Sequence, residues 1–242
     1  MARAAAEGHR VVLVVATGGE HGEVPGDLGD GETLADRRVA ESVKSAAVLG
    51  IDKLVWLGYI DSGMTGWEQN EHHESFVRAD IHDSARRLAA VLTDERADVL
   101  VTYDWHGGYG HPDHIQVHRV GALAGRLAGT ARRFEATMNR DAIRGFMELA
   151  KRNGAPEDEM FDPDGPADDG NPFGTPEAEI TTFVDVSAYV GAKRASMSCH
   201  ASQISDSSFF LQMPPEAFAN AFGIEWFRQV HPPVTERGTW LV

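Results

Sequence analysis

Residues 98–114 read DVLVTYDWHGGYGHPDH, and this stretch decides the fold. Its first part, residues 98–103, is a short apolar run of the kind found in strands that are covered on both faces. Three glycines within the next seven residues allow tight backbone turns. Pro112 suits the first position of a helix, which predicts a helix over Pro112–Leu127. The stretch therefore predicts a strand, a glycine loop and a helix in succession.

The same alternation runs along the rest of the chain. Further strands are predicted over residues 11–16, 53–57, 133–138 and 180–186. Further helices are predicted over residues 2–7, 34–49, 79–95, 141–151 and 188–200. Strands alternating with helices predict an α/β fold, a Rossmann-like and mostly parallel sheet with helices on both faces. The chain begins inside a helix, so we expect the first strand of such a fold to be missing.

Bulk composition predicts one domain over residues 1–242 and excludes several functions. Lys and Arg number 22 against 37 Asp and Glu, a net charge of −15 without a basic run, which argues against nucleic-acid binding. No segment approaches the ~20 apolar residues of a membrane span. The single cysteine excludes a disulfide framework, and we expect a cytoplasmic protein. The sequence leaves the formation of a homo-oligomer open.

Residues 153–179 differ in composition from the rest of the chain. They are rich in Pro, Gly and Asp and poor in apolar residues. A loop of this length is usually a lid, a binding loop or a disordered insertion. The sequence alone does not decide between a solvated insertion and a lid.

Two histidines, His111 and His114, follow the glycine loop, residues 107–110, at a spacing that suits a metal or catalytic site. His111 is predicted at the N-cap of the helix and His114 in its first turn, so both imidazoles can face one pocket. Such a pair suits zinc binding or acid–base catalysis. Asp113 lies between them, and a carboxylate beside a histidine commonly fixes its tautomer. The alternative is a histidine N-cap with purely structural neighbours.

Residues 107–114, GGYGHPDH, closely resemble the second signature of the PIG-L/LmbE-like deacetylases. This family includes the N-acetylglucosaminyl-phosphatidylinositol deacetylases and the actinobacterial mycothiol enzymes. Other segments resemble it in the same order, so that the resemblance covers nearly the whole chain: residues 14–23, the Arg38/Glu41 pair, residues 57–64 and residues 193–203.

The resemblance implies a zinc-dependent hydrolase. Metal-activated water would remove the N-acetyl group of a small amino-sugar derivative, and a single Zn²⁺ would be held by two histidines and one aspartate. His114 matches one histidine ligand. His111 matches the residue that stabilises the tetrahedral intermediate or protonates the leaving amine, and Asp113 matches the residue that orients His111. Tyr109 matches a tyrosine that helps at the oxyanion.

Three further residues are candidates for substrate contacts. Asp61 lies in a loop at the expected ligand edge of the sheet, where an Asx-turn is an equally good interpretation. Gly108 and His106 belong to the glycine loop or directly precede it, and we expect them beside the substrate.

One family feature has no match in this sequence. The family's first signature, His-Pro-Asp-Asp-Glu, supplies the other histidine, the aspartate ligand and the general base, and this chain does not contain it. We expect the remaining zinc ligands upstream of Met1, with the natural protein starting earlier. The alternative is an inactive, metal-free remnant or binding pseudoenzyme, because a lone histidine cannot hold a catalytic zinc.

Overall fold

A computed structural model describes residues 1–152, 161–205 and 208–242. Its helices are α1 (Ala2–Ala6), α2 (Leu34–Leu49), α3 (Ile81–Asp94), α4 (Pro112–Leu127), α5 (Arg140–Arg152), α6 (Val190–Ser198), α7 (Phe209–Gln212) and α8 (Pro215–Phe222). Its strands are β1 (Val12–Thr17), β2 (Lys53–Tyr59), β3 (Val99–Tyr103), β4 (Arg132–Thr137), β5 (Thr182–Asp185) and β6 (Ile224–His231). Within these residues no helix is long and apolar enough to cross a membrane.

The described residues fall into two compact units. Unit 1 comprises Met1–Gly63, Glu71–Arg78 and Asp185–Ile224, and unit 2 comprises Met64–Asn70, Ala79–Val184 and Glu225–Val242. Unit 1 holds a two-stranded parallel sheet, β1-β2. The other sheet has the order β3-β4-β6-β5, in which β3 and β4 are parallel and β6 runs antiparallel to β4.

Unit 1 is organised by helix α2. Thr33 caps its first turn in a reciprocal capping box with Asp36, and Gly50 ends it in the left-handed conformation with φ 71°. Glu41 is 3% exposed and accepts hydrogen bonds from the backbone N–H and the hydroxyl of Ser202, both at 2.7 Å. These bonds tie the helix to the segment that follows α6.

Unit 2 is organised by helix α4, which packs against α3 and β3. Two glycines allow the close approach: a Cβ at Gly121 would lie 2.3 Å from Thr102 Cγ2, and one at Gly125 would lie 2.6 Å from Arg133 Cδ. Val120, Ala124 and other apolar side chains fill the layer between helices and sheet, and Ala85 of α3 is fully buried.

The α/β class, the parallel strand pairs and most element positions confirm the sequence prediction. Helices α2 and α4 begin and end at the predicted residues, because Gly50 and Pro112 mark their ends unambiguously. The described residues form two sheets, and the antiparallel strand β6 was not foreseen. Part of the expected loop over 153–179, residues 153–160, lies outside the described residues.

Candidate active site

The loop between β3 and α4 has a backbone path that requires glycine. Gly107 has φ 69°, and a Cβ there would lie 2.5 Å from the Cβ of His114. Gly110 has φ 95°, and a Cβ there would lie 2.3 Å from the backbone nitrogen of Asp169. Both the left-handed conformation and the close contacts exclude a side chain. The glycines thus let the loop turn tightly into the helix.

Asp104 anchors this loop from below. It follows β3 directly and is 1% exposed. One carboxylate oxygen accepts the backbone N–H of Gly108 at 2.7 Å, and the other accepts the hydroxyl of Thr137 at 2.6 Å. Asp104 is not among the residues predicted from the sequence, and its position immediately after a strand is the only sequence signal that points to it.

His111 is the N-cap of α4, as the sequence predicted. Its Nδ1 accepts the backbone N–H of Asp113 at 3.1 Å. An accepting nitrogen carries no hydrogen, so in the neutral imidazole the proton must reside on Nε2. The helix cap thereby fixes the tautomer in which Nε2–H is a donor. Asp113 itself is 4% exposed, and the bond that orients His111 comes from its backbone.

His114 lies one turn further, within an aromatic cluster. Its Nδ1 is 3.2 Å from the carbonyl oxygen of Gly107, and since a carbonyl can only accept, Nδ1 is the protonated nitrogen. The ring stacks on Tyr103 with centroids 4.0 Å apart and on His111 with centroids 4.8 Å apart. Tyr109 meets both imidazoles edge-on, at 5.2 Å from His114 and 6.2 Å from His111. The structure thus brings together the predicted residues of this loop.

A second segment, residues 161–175, runs along the glycine loop, and we call it the strap. The backbone N–H of Asp168 donates to the carbonyl of Tyr109 at 3.0 Å, and that of Gly174 donates to the carbonyl of Gly108 at 2.9 Å. Both backbone polar groups of Gly108 therefore have partners within the protein. The strap belongs to the region that the sequence predicts as a lid or an insertion.

His106 lies beneath the strap. Its side chain is fully buried, and its Nε2 is 3.3 Å from the carbonyl oxygen of Gly174. Its Nδ1 is 3.7 Å from a carboxylate oxygen of Asp169 and makes no hydrogen bond. In this structure the ring contacts the strap, and the substrate contact expected of His106 stays a prediction.

Asp61, the remaining candidate, lies in unit 1. One carboxylate oxygen accepts the backbone N–H of Gly63 at 2.9 Å, which is the Asx-turn foreseen as one interpretation. The other accepts the N–H of His21 at 3.4 Å, and the backbone N–H of Asp61 donates to Glu20 at 2.9 Å. Asp61 thus joins two loops of unit 1.

The same loops contact Arg38 of α2. Its Nη1 donates to the carbonyl of Gly19 at 2.7 Å, and a Cβ at Gly19 or Gly22 would collide with its guanidinium. The glycines of this loop therefore make room for an arginine.

Only one group of three metal-binding side chains occurs among the described residues. It consists of His72, His73 and Glu74, and all three are exposed. His114 belongs to no such group. No two described residues therefore join His114 in the set of three protein ligands that a catalytic zinc site requires.

Comparison with known proteins places this chain among deacetylases. Residues 1–124 match the family "PIG-L: GlcNAc-PI de-N-acetylase". The chain is 39% identical over 236 residues to a protein of Saccharomonospora viridis, and the match covers 93% of this chain and 83% of that protein. That relative is named 1D-myo-inositol 2-acetamido-2-deoxy-alpha-D-glucopyranoside deacetylase.

Solved structures share the fold at low sequence identity. The N,N'-diacetylchitobiose deacetylase of Pyrococcus horikoshii matches with a TM-score of 0.53 at 19% identity, over 96% of this chain and 79% of that one. The 4-carboxy-2-hydroxymuconate hydratase GalB of Pseudomonas putida matches with a TM-score of 0.56 at 18% identity, over 98% and 90% of the two chains. Since a hydratase and a deacetylase share it, the fold alone does not specify the reaction.

Proposed function

Because the chain belongs to the GlcNAc-PI de-N-acetylase (PIG-L) family, we propose that it hydrolyses the N-acetyl group of a small amino-sugar derivative. The observation that carries the proposal is the 39% identity to a deacetylase of an acetamido-glucopyranosyl inositol over 93% of this chain. Water adds to the amide carbonyl, the C–N bond breaks, and acetate and a free amine leave. The relatives named here as deacetylases lend no support to the alternative of an inactive binding protein.

We assign His111 to the proton transfer in this reaction. The leaving nitrogen must gain a proton when the C–N bond breaks, and Nε2–H of His111 is a donor in the tautomer that the helix cap selects. Asp113 is the positioning residue, acting through its backbone N–H. The proposal gives Tyr109, whose ring lies edge-on to both imidazoles, the donation of its phenol O–H to the carbonyl oxygen as charge develops there.

His114 is the residue that we propose as a ligand of Zn²⁺. With Nδ1–H directed at the carbonyl of Gly107, Nε2 carries the lone pair, and a backbone carbonyl is a usual orienting partner of a zinc-binding histidine. Zinc would supply an activated water. Since the described neighbours of His114 do not complete a ligand set, no step above passes through the metal.

Asp61, His106 and Gly108 remain proposed substrate-binding residues. Asp61 is 8% exposed, and its carboxylate already accepts hydrogen bonds from two backbone N–H groups. A substrate hydroxyl would have to compete with these donors. For His106 and Gly108, a substrate contact with Nε2 or with the carbonyl would require the strap to move, because Nε2 of His106 and the carbonyl of Gly108 contact the strap backbone at Gly174.

The test is hydrolysis of 1D-myo-inositol 2-acetamido-2-deoxy-α-D-glucopyranoside by the purified chain, with release of amine and of acetate measured together. We expect His111→Asn to lower kcat/KM by about 10²- to 10⁴-fold, the usual contribution of a positioned proton donor. Asn is itself a good N-cap, so the helix start is retained and the loss reports on the chemistry.

His82→Asn is the matched control. His82 is exposed on α3 and lies outside the site, so its substitution should leave the rate within twofold. Absence of any amine release by the wild-type chain, with and without added Zn²⁺, would overturn the proposal. Equal rates in wild type and His111→Asn would remove His111 from it.

A further inference from the structure

Unit 2 contains a cavity that the proposed reaction does not use. Its volume is about 330 Å³, within the range of small-molecule sites. Residues of α4, β3, β4 and β6 line it. The side chains that matter for its chemistry are Arg126, Arg133, Arg228, Glu135, His118 and Trp105. We call it the arginine cavity.

The lining carries an excess of positive charge. Glu135, 4% exposed, is its one lining carboxylate, and Arg228 holds it through Nε at 2.9 Å and Nη2 at 2.8 Å. Burial raises the pKa of the Glu135 carboxyl, while Arg228 opposes this rise. At the surface Arg228 also lies 3.7 Å from Glu179. Arg228 is therefore already matched by carboxylates.

The other two arginines have no such match. Among the described residues neither Arg126 nor Arg133 forms an ion pair, although the chain as a whole carries a net charge of −15. Arg126 is exposed and Arg133 is half-buried. Two guanidinium groups without carboxylate partners on one concave surface form an environment for an anion.

Arg133 gives the strongest indication. Its Nε is buried and has no hydrogen-bond partner in the structure. A buried donor without an acceptor is costly and calls for an explanation, and a bound ion or ligand at this position is one. The stem of Arg133 packs against the backbone of α4 at Gly125, which restricts where the guanidinium can lie. The Nε–H of Arg133 thus lacks an acceptor among the described residues.

The remaining lining adds an apolar surface and a second polar group. Trp105 lines the cavity and is 47% exposed. His118 has its Nδ1 at 3.3 Å from the carbonyl oxygen of Tyr103 and at 3.4 Å from Glu135. A ligand that fits this lining has an oxyanion for the arginines and a flat or apolar body for the indole.

We propose that the arginine cavity binds a small organic anion, with a phosphate or carboxylate group held by Arg133 and Arg126 and an apolar body against Trp105. Guanidinium groups recognise both oxyanions through paired hydrogen bonds, so the class is defined by the oxyanion.

Calorimetric titration of the full chain at constant ionic strength tests the proposal, with phenyl phosphate, benzoate and inorganic phosphate as probes. We expect saturable binding of phenyl phosphate or benzoate that exceeds that of inorganic phosphate. Arg133→Met keeps the packed stem and removes the guanidinium, and it should weaken binding about tenfold or more. Arg228 is left intact, because its loss would strand the buried Glu135.

Two further variants distinguish loss of the cavity site from a general loss of positive charge. Arg119→Met is the control, since Arg119 is exposed on α4 and does not line the cavity. Ala122→Phe places a bulky side chain at the cavity lining without changing its charge and should also weaken binding. Failure of every probe to saturate at millimolar concentrations, or an equal loss in Arg119→Met and Arg133→Met, would overturn the proposal. Either result leaves the proposed hydrolysis untouched.

Discussion

Asp104 holds the glycine loop in place, although no sequence motif includes it. The histidines, Asp113 and the glycines could be predicted because they form a motif next to a strand. Asp104 could not, because a buried carboxylate that accepts from Gly108 and Thr137 depends on contacts that become neighbours only after folding. The tautomer of His111 likewise needs the cap geometry, which the spacing alone does not give.

Removing one acceptor from Asp104 should therefore loosen the loop. Asp104→Asn replaces one carboxylate oxygen by an amide NH2 group, which can only donate, so either Gly108 N–H or the Thr137 hydroxyl loses Asp104 as its acceptor. We expect a loss of about 1–3 kcal/mol in the free energy of unfolding, measured by urea denaturation. Asp98→Asn, at an exposed position, should change it by less than about 0.5 kcal/mol. Similar values for the two variants would contradict this role.

At the scale of elements, the glycine loop and the strap depend on each other. Gly110→Ala adds a Cβ at φ 95° directly against the backbone of Asp169. We expect the strap to be displaced, with faster limited proteolysis between residues 161 and 175 and reduced hydrolysis. Gly145→Ala is the control, because Gly145 lies in α5 with open space around its Cα and should be neutral or slightly stabilising. Unchanged proteolysis in Gly110→Ala would show that the loop does not hold the strap.

The exposed edge of strand β3 is the basis of a separate prediction. It is an edge of its sheet among the described residues, and Val101 and Tyr103 are 41% and 40% exposed on it. Exposed apolar edges favour association, and a lysine on an edge opposes it. We expect the protein to associate as its concentration rises, measured by light scattering. Val101→Lys should reduce this association. Val43→Lys, on the exposed side of α2, provides the same charge change away from the edge and should have a smaller effect.

At the scale of the whole molecule, the sequence predicted the class better than the sheet. Local signals such as Gly50 and Pro112 mark the helix ends, and the alternation of strands with helices predicts the parallel strand pairs. The division into two sheets depends on which strands meet across the chain, and β6 reaches β4 from more than 80 residues away. No local pattern encodes that pairing.

The pH dependence of folding also belongs to this scale. Burial lowers the pKa of His200, Arg38 lowers it further, and Glu41 opposes the shift. Its Nδ1 is buried without a hydrogen-bond partner. Below an ordinary pKa of about 6.5 the unfolded chain takes up a proton that the folded chain resists, so the free energy of unfolding falls as the pH falls through this window. His200→Gln should flatten that slope, whereas His73→Gln, exposed, should not.

The N-cap of α4 finally implies a conflict between the stability of the helix start and the proposed catalytic role of His111. Histidine is not among the residues that cap helices best, and Asn, Asp or Ser at this position would hold the first turn more firmly. Selection for a sturdy fold alone would therefore drift away from His111. If His111 performs the proposed proton transfer, α4 begins with a weaker cap in exchange for that role.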